Sequence, residues 1–102
     1  MTRLIIPAQF TFDITQIRMH LEDVAGKTTT QRYLGQFEKA VRRLIEMPRS
    51  GSVRRRLGPD ARRLVIRPYV LIYDYSAEHD TVTLLRLVHG RRKIVPAMLP
   101  RE

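Results

Sequence analysis

ArgArgLeuValIleArg (residues 62–67), TyrValLeuIleTyrAspTyr (69–75) and ThrValThrLeuLeuArgLeuVal (81–88) follow one another closely, and the last runs into His89-Gly90-Arg91-Arg92-Lys93. β-Branched, aromatic and leucine side chains bounded by turn residues predict three strands, Arg63 to Arg67, Tyr69 to Tyr75 and Thr81 to Val88. AlaGluHisAsp is the expected turn between the last two. Leu64, Ile66, Tyr69, Leu71, Val82, Leu84 and Leu87 are too many apolar side chains for a free-standing sheet, so something upstream must roof one face. The arginines at the strand ends then sit on rigid backbone, as a pre-organised cationic surface.

Upstream, Leu4 to Ile6 is a short apolar run stopped by Pro7 and reads as an edge strand. From Ala8 to Ala25, Phe10, Ile14, Ile17, Leu21 and Val24 recur at steps of three and four, one stripe of a helix. Gly26 is placed to close that helix, and Thr28 with Gln31 has the spacing of a capping box for the next. The second stripe is Tyr33, Phe37, Ala40, Val41, Leu44 and Ile45, with Pro48 at its end. So short a link predicts an antiparallel helical hairpin. Arg49 to Ala61, holding Gly51, Gly58, Pro59 and Arg54-Arg55-Arg56, has no sustained period and reads as a basic loop. The expected fold is α+β: an N-terminal strand and a two-helix hairpin packed on a mainly antiparallel sheet of three to four strands.

At 102 residues and 43% hydrophobic content the chain is expected to close one core, a single domain spanning residues 1–102. Its 19 Lys plus Arg against 10 Asp plus Glu leave a formal charge of +9. Lysine occurs only at Lys27, Lys39 and Lys93, so the charge is mostly guanidinium, the group that grips phosphate or carboxylate with a two-pronged fork. Met1 to Pro48 has seven basic and five acidic residues, whereas Arg49 to Glu102 has twelve and five, so the second half carries the field. With no cysteine there is no disulfide, thiolate metal site or cysteine nucleophile. The N-terminal apolar run is too short for a signal peptide and nothing approaches a membrane span, so a cytoplasmic protein with no membrane partner is expected. His20 and His79 have no partner at ligand spacing, and neither metal nor cofactor is expected.

The order strand, helix, helix, three-stranded meander, together with TyrValLeuIleTyr and LeuLeuArgLeuValHisGlyArgArgLysIle, resembles the RelE/ParE family of bacterial type II toxins. The likeness runs from about Leu4 to about Val95; Arg86-Leu87-Val88-His89-Gly90-Arg91-Arg92 is its most specific part, and the connector bearing Arg49, Gly51 and Arg56 also fits. The resemblance implies a toxin encoded beside a cognate acidic antitoxin and held inactive in a hetero-oligomer with it. RelE-like members cut messenger RNA on the ribosome, whereas ParE-like, plasmid-stabilisation members act on DNA gyrase and are not known to be nucleases. RelE-like members carry an arginine directly after the tyrosine that opens the third strand, and a tyrosine near the C-terminus. Val70 and Met98 stand at those places here, which favours the gyrase reading.

The chemistry of the residues agrees. Cleaving RNA through its 2′-hydroxyl needs a base, an acid and cations on the phosphate. His89 could be the base, with Arg67, Arg86, Arg91 and Arg92 as clamps, but no second acid is evident beside them; an endoribonuclease would use Arg67, His89, Arg91 and Arg92. His89 at a strand end beside a glycine is more readily a structural residue, bonding neighbouring backbone and orienting its turn, than a catalytic one. The candidate target- or partner-binding set is Arg54, Arg55, Arg56, Arg67, Arg86, His89, Arg91, Arg92 and Lys93, with no catalytic residue under the gyrase reading. Phe12 and Leu99, which lie off the helix stripes, are candidates for an antitoxin groove. A plain basic nucleic-acid-binding module is the remaining alternative, since so cationic a chain clings to polyanions at low salt.

Overall fold

The computed structural model describes residues 1–100. In chain order it contains β1 (Arg3–Ile5), α1 (Ala8–Glu46), β2 (Ser52–Val53), a 3-10 turn (Arg55–Leu57), β3 (Ala61–Ile66), β4 (Tyr69–Ser76), β5 (Thr81–His89) and a second 3-10 turn (Pro96–Met98). The strands form one sheet in the order β1-β5-β4-β3-β2. β1 runs parallel to β5 and every other pairing is antiparallel, so the sheet is mixed and has five strands rather than three to four. The extra strand, β2, and the first 3-10 turn replace part of the loop expected from Arg49 to Ala61.

The expected hairpin of two separate helices is corrected to one helical element, α1, bent at Gly26. Gly26 takes φ 83° and ψ 173°, a conformation open to glycine and strained for other residues, so the helix breaks there without an intervening loop. A straight helix of 39 residues would be roughly 58 Å long. The longest dimension of the fold is only 42 Å, so the chain turns back at that point. The Thr30 hydroxyl, rather than that of Thr28, meets the break by donating to the Gly26 carbonyl at 2.8 Å. Val24, on the expected apolar stripe, is exposed instead, as is every residue from Glu22 to Thr28 around the bend.

Phe10, from before the bend, and Phe37 and Leu44, from after it, close a core against Tyr69, Leu71 and Tyr73 of β4 and Val82, Leu84 and Leu87 of β5. The register of β4 and β5 pairs Ile72 with Arg86 but Tyr73 with Leu84, leaving Leu85 as a bulge. One extra residue reverses the alternation, which is why Leu84 and Leu87, three apart, face the same core. Leu85 instead joins Leu57, Ala61, Ile72 and Leu99 in a smaller cluster, with Ile94 packed against it. Both faces of the sheet are therefore covered, not one. Leu99, at 7% exposure, belongs to this second cluster and does not line a groove as expected.

Tyr73 ties the end of α1 to the sheet. Its side chain is fully buried, and its hydroxyl donates to the Pro48 carbonyl at 2.7 Å while accepting the Gly51 N–H at 2.9 Å. Burial raises its pKa, outweighing the Gly51 hydrogen bond and the Arg62 charge that pull it down. A Cβ at Gly51 would come within 2.7 Å of the Tyr73 ring and hydroxyl, so this position admits glycine alone without a shift of its neighbours. Replacing Tyr73 by phenylalanine strands the Gly51 donor and is expected to cost about 1–3 kcal/mol in a chemical-denaturation experiment. A variant as stable as the parent would show that water replaces both bonds.

Candidate functional site

Leu57, 3% exposed, anchors the first 3-10 turn on the second face of the sheet. The Arg54 N–H donates to the Ala61 carbonyl at 2.9 Å, and the Leu57 N–H to the Arg54 carbonyl, so the turn is held at both ends. Across the same face, Gly90 donates its N–H to Pro68 at 2.8 Å, Arg92 donates its N–H to His89 at 2.9 Å, and Ile94 packs into the second cluster. These anchors bring Arg54 and Arg56 from one side and Arg92 and Lys93 from the other around a cavity of about 160 Å³ floored by Val70 and Ile72. Arg63 of β3 completes the ring of cations. Its Nε is buried and has no hydrogen-bond partner among the described residues, whereas buried polar groups are ordinarily paired. Among the described residues five cations and no carboxylate line this cavity, an arrangement suited to an anionic group.

A second cavity of about 480 Å³ adjoins it, between α1 and the ends of β4 and β5. Phe12, Gln16 and His20 of α1 face Tyr69, His89 and Arg92 there, so Arg92 borders both spaces. His89 is held by its ring Nδ1, which accepts the Arg91 N–H at 3.1 Å, and by an edge contact to Tyr69 with ring centroids 5.9 Å apart. Burial, and to a lesser degree the neighbouring Tyr33, raises the pKa of Tyr69.

The expected set is thus divided. Arg54, Arg56, Arg92 and Lys93 converge, and His89 stands next door. Arg55 points to a cavity on the opposite face, and exposed Arg67 and Arg91 border neither of the two spaces above. Arg86 is a correction: it turns inward, with Nε 2.8 Å from Asp13 Oδ2 and Nη2 3.0 Å from Asp13 Oδ1, and donates through Nη1 to the Met98 carbonyl. The cause is burial, since a guanidinium 8% exposed needs a carboxylate beside it. Arg63 was missed. Its signal was the pair Arg62-Arg63 inside a strand, where successive side chains must point to opposite faces. No three His, Asp or Glu side chains among the described residues gather to hold a metal ion, and no helix there is long and apolar enough to cross a membrane.

The fold resembles solved structures. A chain from the chromosomal ParDE toxin–antitoxin system of P. aeruginosa superposes with a TM-score of 0.72 at 18% identity, over 87% of this chain and 96% of that one. The isolated E. coli RelE toxin gives 0.60 at 19% identity, over 91% and 88%. A chain of the intact E. coli RelBE toxin–antitoxin complex gives 0.61 at 19% identity, over 90% and 100%. No curated protein sequence matches the chain. The family model described as the ParE toxin of the type II toxin–antitoxin system parDE matches residues 4–94, and with nearly the whole folded chain inside that match, the protein belongs to the ParE toxin family.

Proposed function

We propose that this ParE-family toxin acts without cleaving nucleic acid, by binding and poisoning DNA gyrase, and that a cognate acidic antitoxin neutralises it in the cytoplasm. The observation that carries this reading is the lining of the cationic cavity. Among the described residues it contains Arg54, Arg56, Arg63, Arg92 and Lys93 over Val70 and Ile72, with no histidine, tyrosine or carboxylate to move a proton. Cations without an acid or a base can hold an anionic surface but cannot take a 2′-hydroxyl proton and return one to a leaving oxygen. Val70 supports the same reading, because an apolar side chain floors the cavity where RelE-like members carry an arginine. Phe12, exposed on α1 beside Arg92, offers the antitoxin an apolar contact next to a cation, the pairing an acidic amphipathic segment uses.

Purified toxin is expected to block gyrase-dependent supercoiling of a relaxed plasmid and to leave reporter synthesis in a cell-free translation system unchanged. The reverse result, with codon-register cuts in the translated message by primer extension, would replace this reading with a ribosome-dependent endoribonuclease using His89 and Arg92, which border one cavity.

A further inference from the structure

Alternation along β3 sends Arg62 to the opposite face from Arg63, and the Arg54-Arg55-Arg56 turn divides likewise. Arg54, Arg56 and Arg63 border the cavity already described, whereas Arg55 and Arg62 border another of about 170 Å³ on the far side of the β2–β3 edge. Arg49 joins them there, its guanidinium carbon 5.2 Å from the centre of the Tyr75 ring. Arg62 is fixed by donating through Nη1 to the carbonyls of Arg49 and Gly51, at 3.0 and 2.8 Å, which binds the segment after α1 to the strand. Arg55 is exposed, and its side chain makes no hydrogen bond or ion pair among the described residues. Among the described residues Asp60 lines the cavity with these three cations, and Asp80, which accepts from the Tyr75 hydroxyl at 2.9 Å, lies within reach of the Arg49 charge.

We infer that this cavity is a second anion site, and that it takes a phosphate of a nucleic-acid backbone. Guanidinium forks suit phosphate and carboxylate alike, so the choice rests on the rest of the lining. Besides the cations and Asp60, the described lining is Val53, Pro59, Ala61 and Ala77, all short side chains, and Tyr75, whose ring Arg49 already covers, which leaves little apolar surface for the anchoring side chain that a bound peptide needs. A phosphodiester chain needs cations alone, and here it finds them on both sides of one short sheet edge. The inference goes beyond the gyrase reading and its test does not involve gyrase.

The experiment measures binding of the full chain to a short fluorescent oligothymidylate by anisotropy over a salt series. Arg49→Gln/Arg55→Gln is compared with Lys27→Gln/Lys39→Gln, which removes equal charge from exposed positions of α1. Loss of one phosphate contact is expected to flatten the slope of log affinity against log salt by about 0.7 for a single strand, while the lysine variant keeps the parent slope. Equal flattening in both variants would overturn the site, because it would mean a diffuse field. An unchanged slope in the arginine variant would also overturn it, as would a larger loss of binding to a polyglutamate peptide than to the oligonucleotide. Circular dichroism checks folding of both, and if the arginine pair disturbs it, Arg55→Gln alone gives the decisive slope.

Discussion

Truncating Arg86 to alanine is expected to cost about 3–5 kcal/mol of folding stability, because it breaks a buried ion pair by removing one partner. A domain of this size is stable by only about 5–15 kcal/mol, so the denaturant midpoint should fall by about a fifth or more. The reason lies with the partner left behind. Asp13 is 6% exposed, and its two oxygens take both prongs of Arg86, the Leu87 N–H at 3.0 Å and the Gln9 amide at 3.1 Å. Without Arg86 a buried carboxylate keeps only neutral donors. Replacing both partners, as Asp13→Leu/Arg86→Met, leaves no stranded charge and should be less damaging than Arg86→Ala, although the Leu87 N–H then loses its acceptor at about 1–3 kcal/mol. Chemical denaturation of the two variants checks both statements. A loss below about 1 kcal/mol in Arg86→Ala would show that water screens the pair as it does at a surface.

That ion pair also marks the limit of what could be read from residues in a row. TyrValLeuIleTyr was legible as a strand because an unbroken apolar run suits a strand covered on both faces, and β4 lies inside the sheet with helix on one side and the Leu57–Leu99 cluster on the other. The helix stripes were legible from their spacing of three and four, which places Phe10, Phe37 and Leu44 on core-facing sides. The bend at Gly26 was visible as a glycine but not as a break within a helix, because a closing residue and a kink both call on glycine for a positive φ. The bulge at Leu85 left no mark, since leucine fits either face, and it is the bulge that shifts the phase of everything after it on β5. Arg86 looked like one more cation of the rim because an arginine is ordinarily exposed unless it is paired. Its partner Asp13 is 73 residues away, and pairing at that distance has no local signature.

Arg63 leads to the opposite kind of result, in which function falls while the fold holds. Replacing it by alanine removes a buried Nε that has no partner among the described residues, so the folded state gives up an unsatisfied donor rather than a bond. Stability is expected to stay within about 0.5 kcal/mol of the parent or to rise. If that donor awaits an anionic group of the target, its removal costs a charge-assisted contact of about 1.5–3 kcal/mol, a loss of roughly 10- to 150-fold in affinity. The concentration of protein that half-inhibits gyrase supercoiling should rise by that factor, and cells expressing the variant should survive where the parent arrests them. Lysine at this position should not restore activity, because a point charge on a flexible stem lacks the fork that places two donors on one acceptor plane. Arg92→Ala should act in the same direction, since Arg92 borders both the cationic cavity and the space beside His89. If Arg63→Ala instead lowers stability and leaves toxicity intact, the ring of cations is a structural feature of the sheet, and the surface that meets the target lies elsewhere on the molecule.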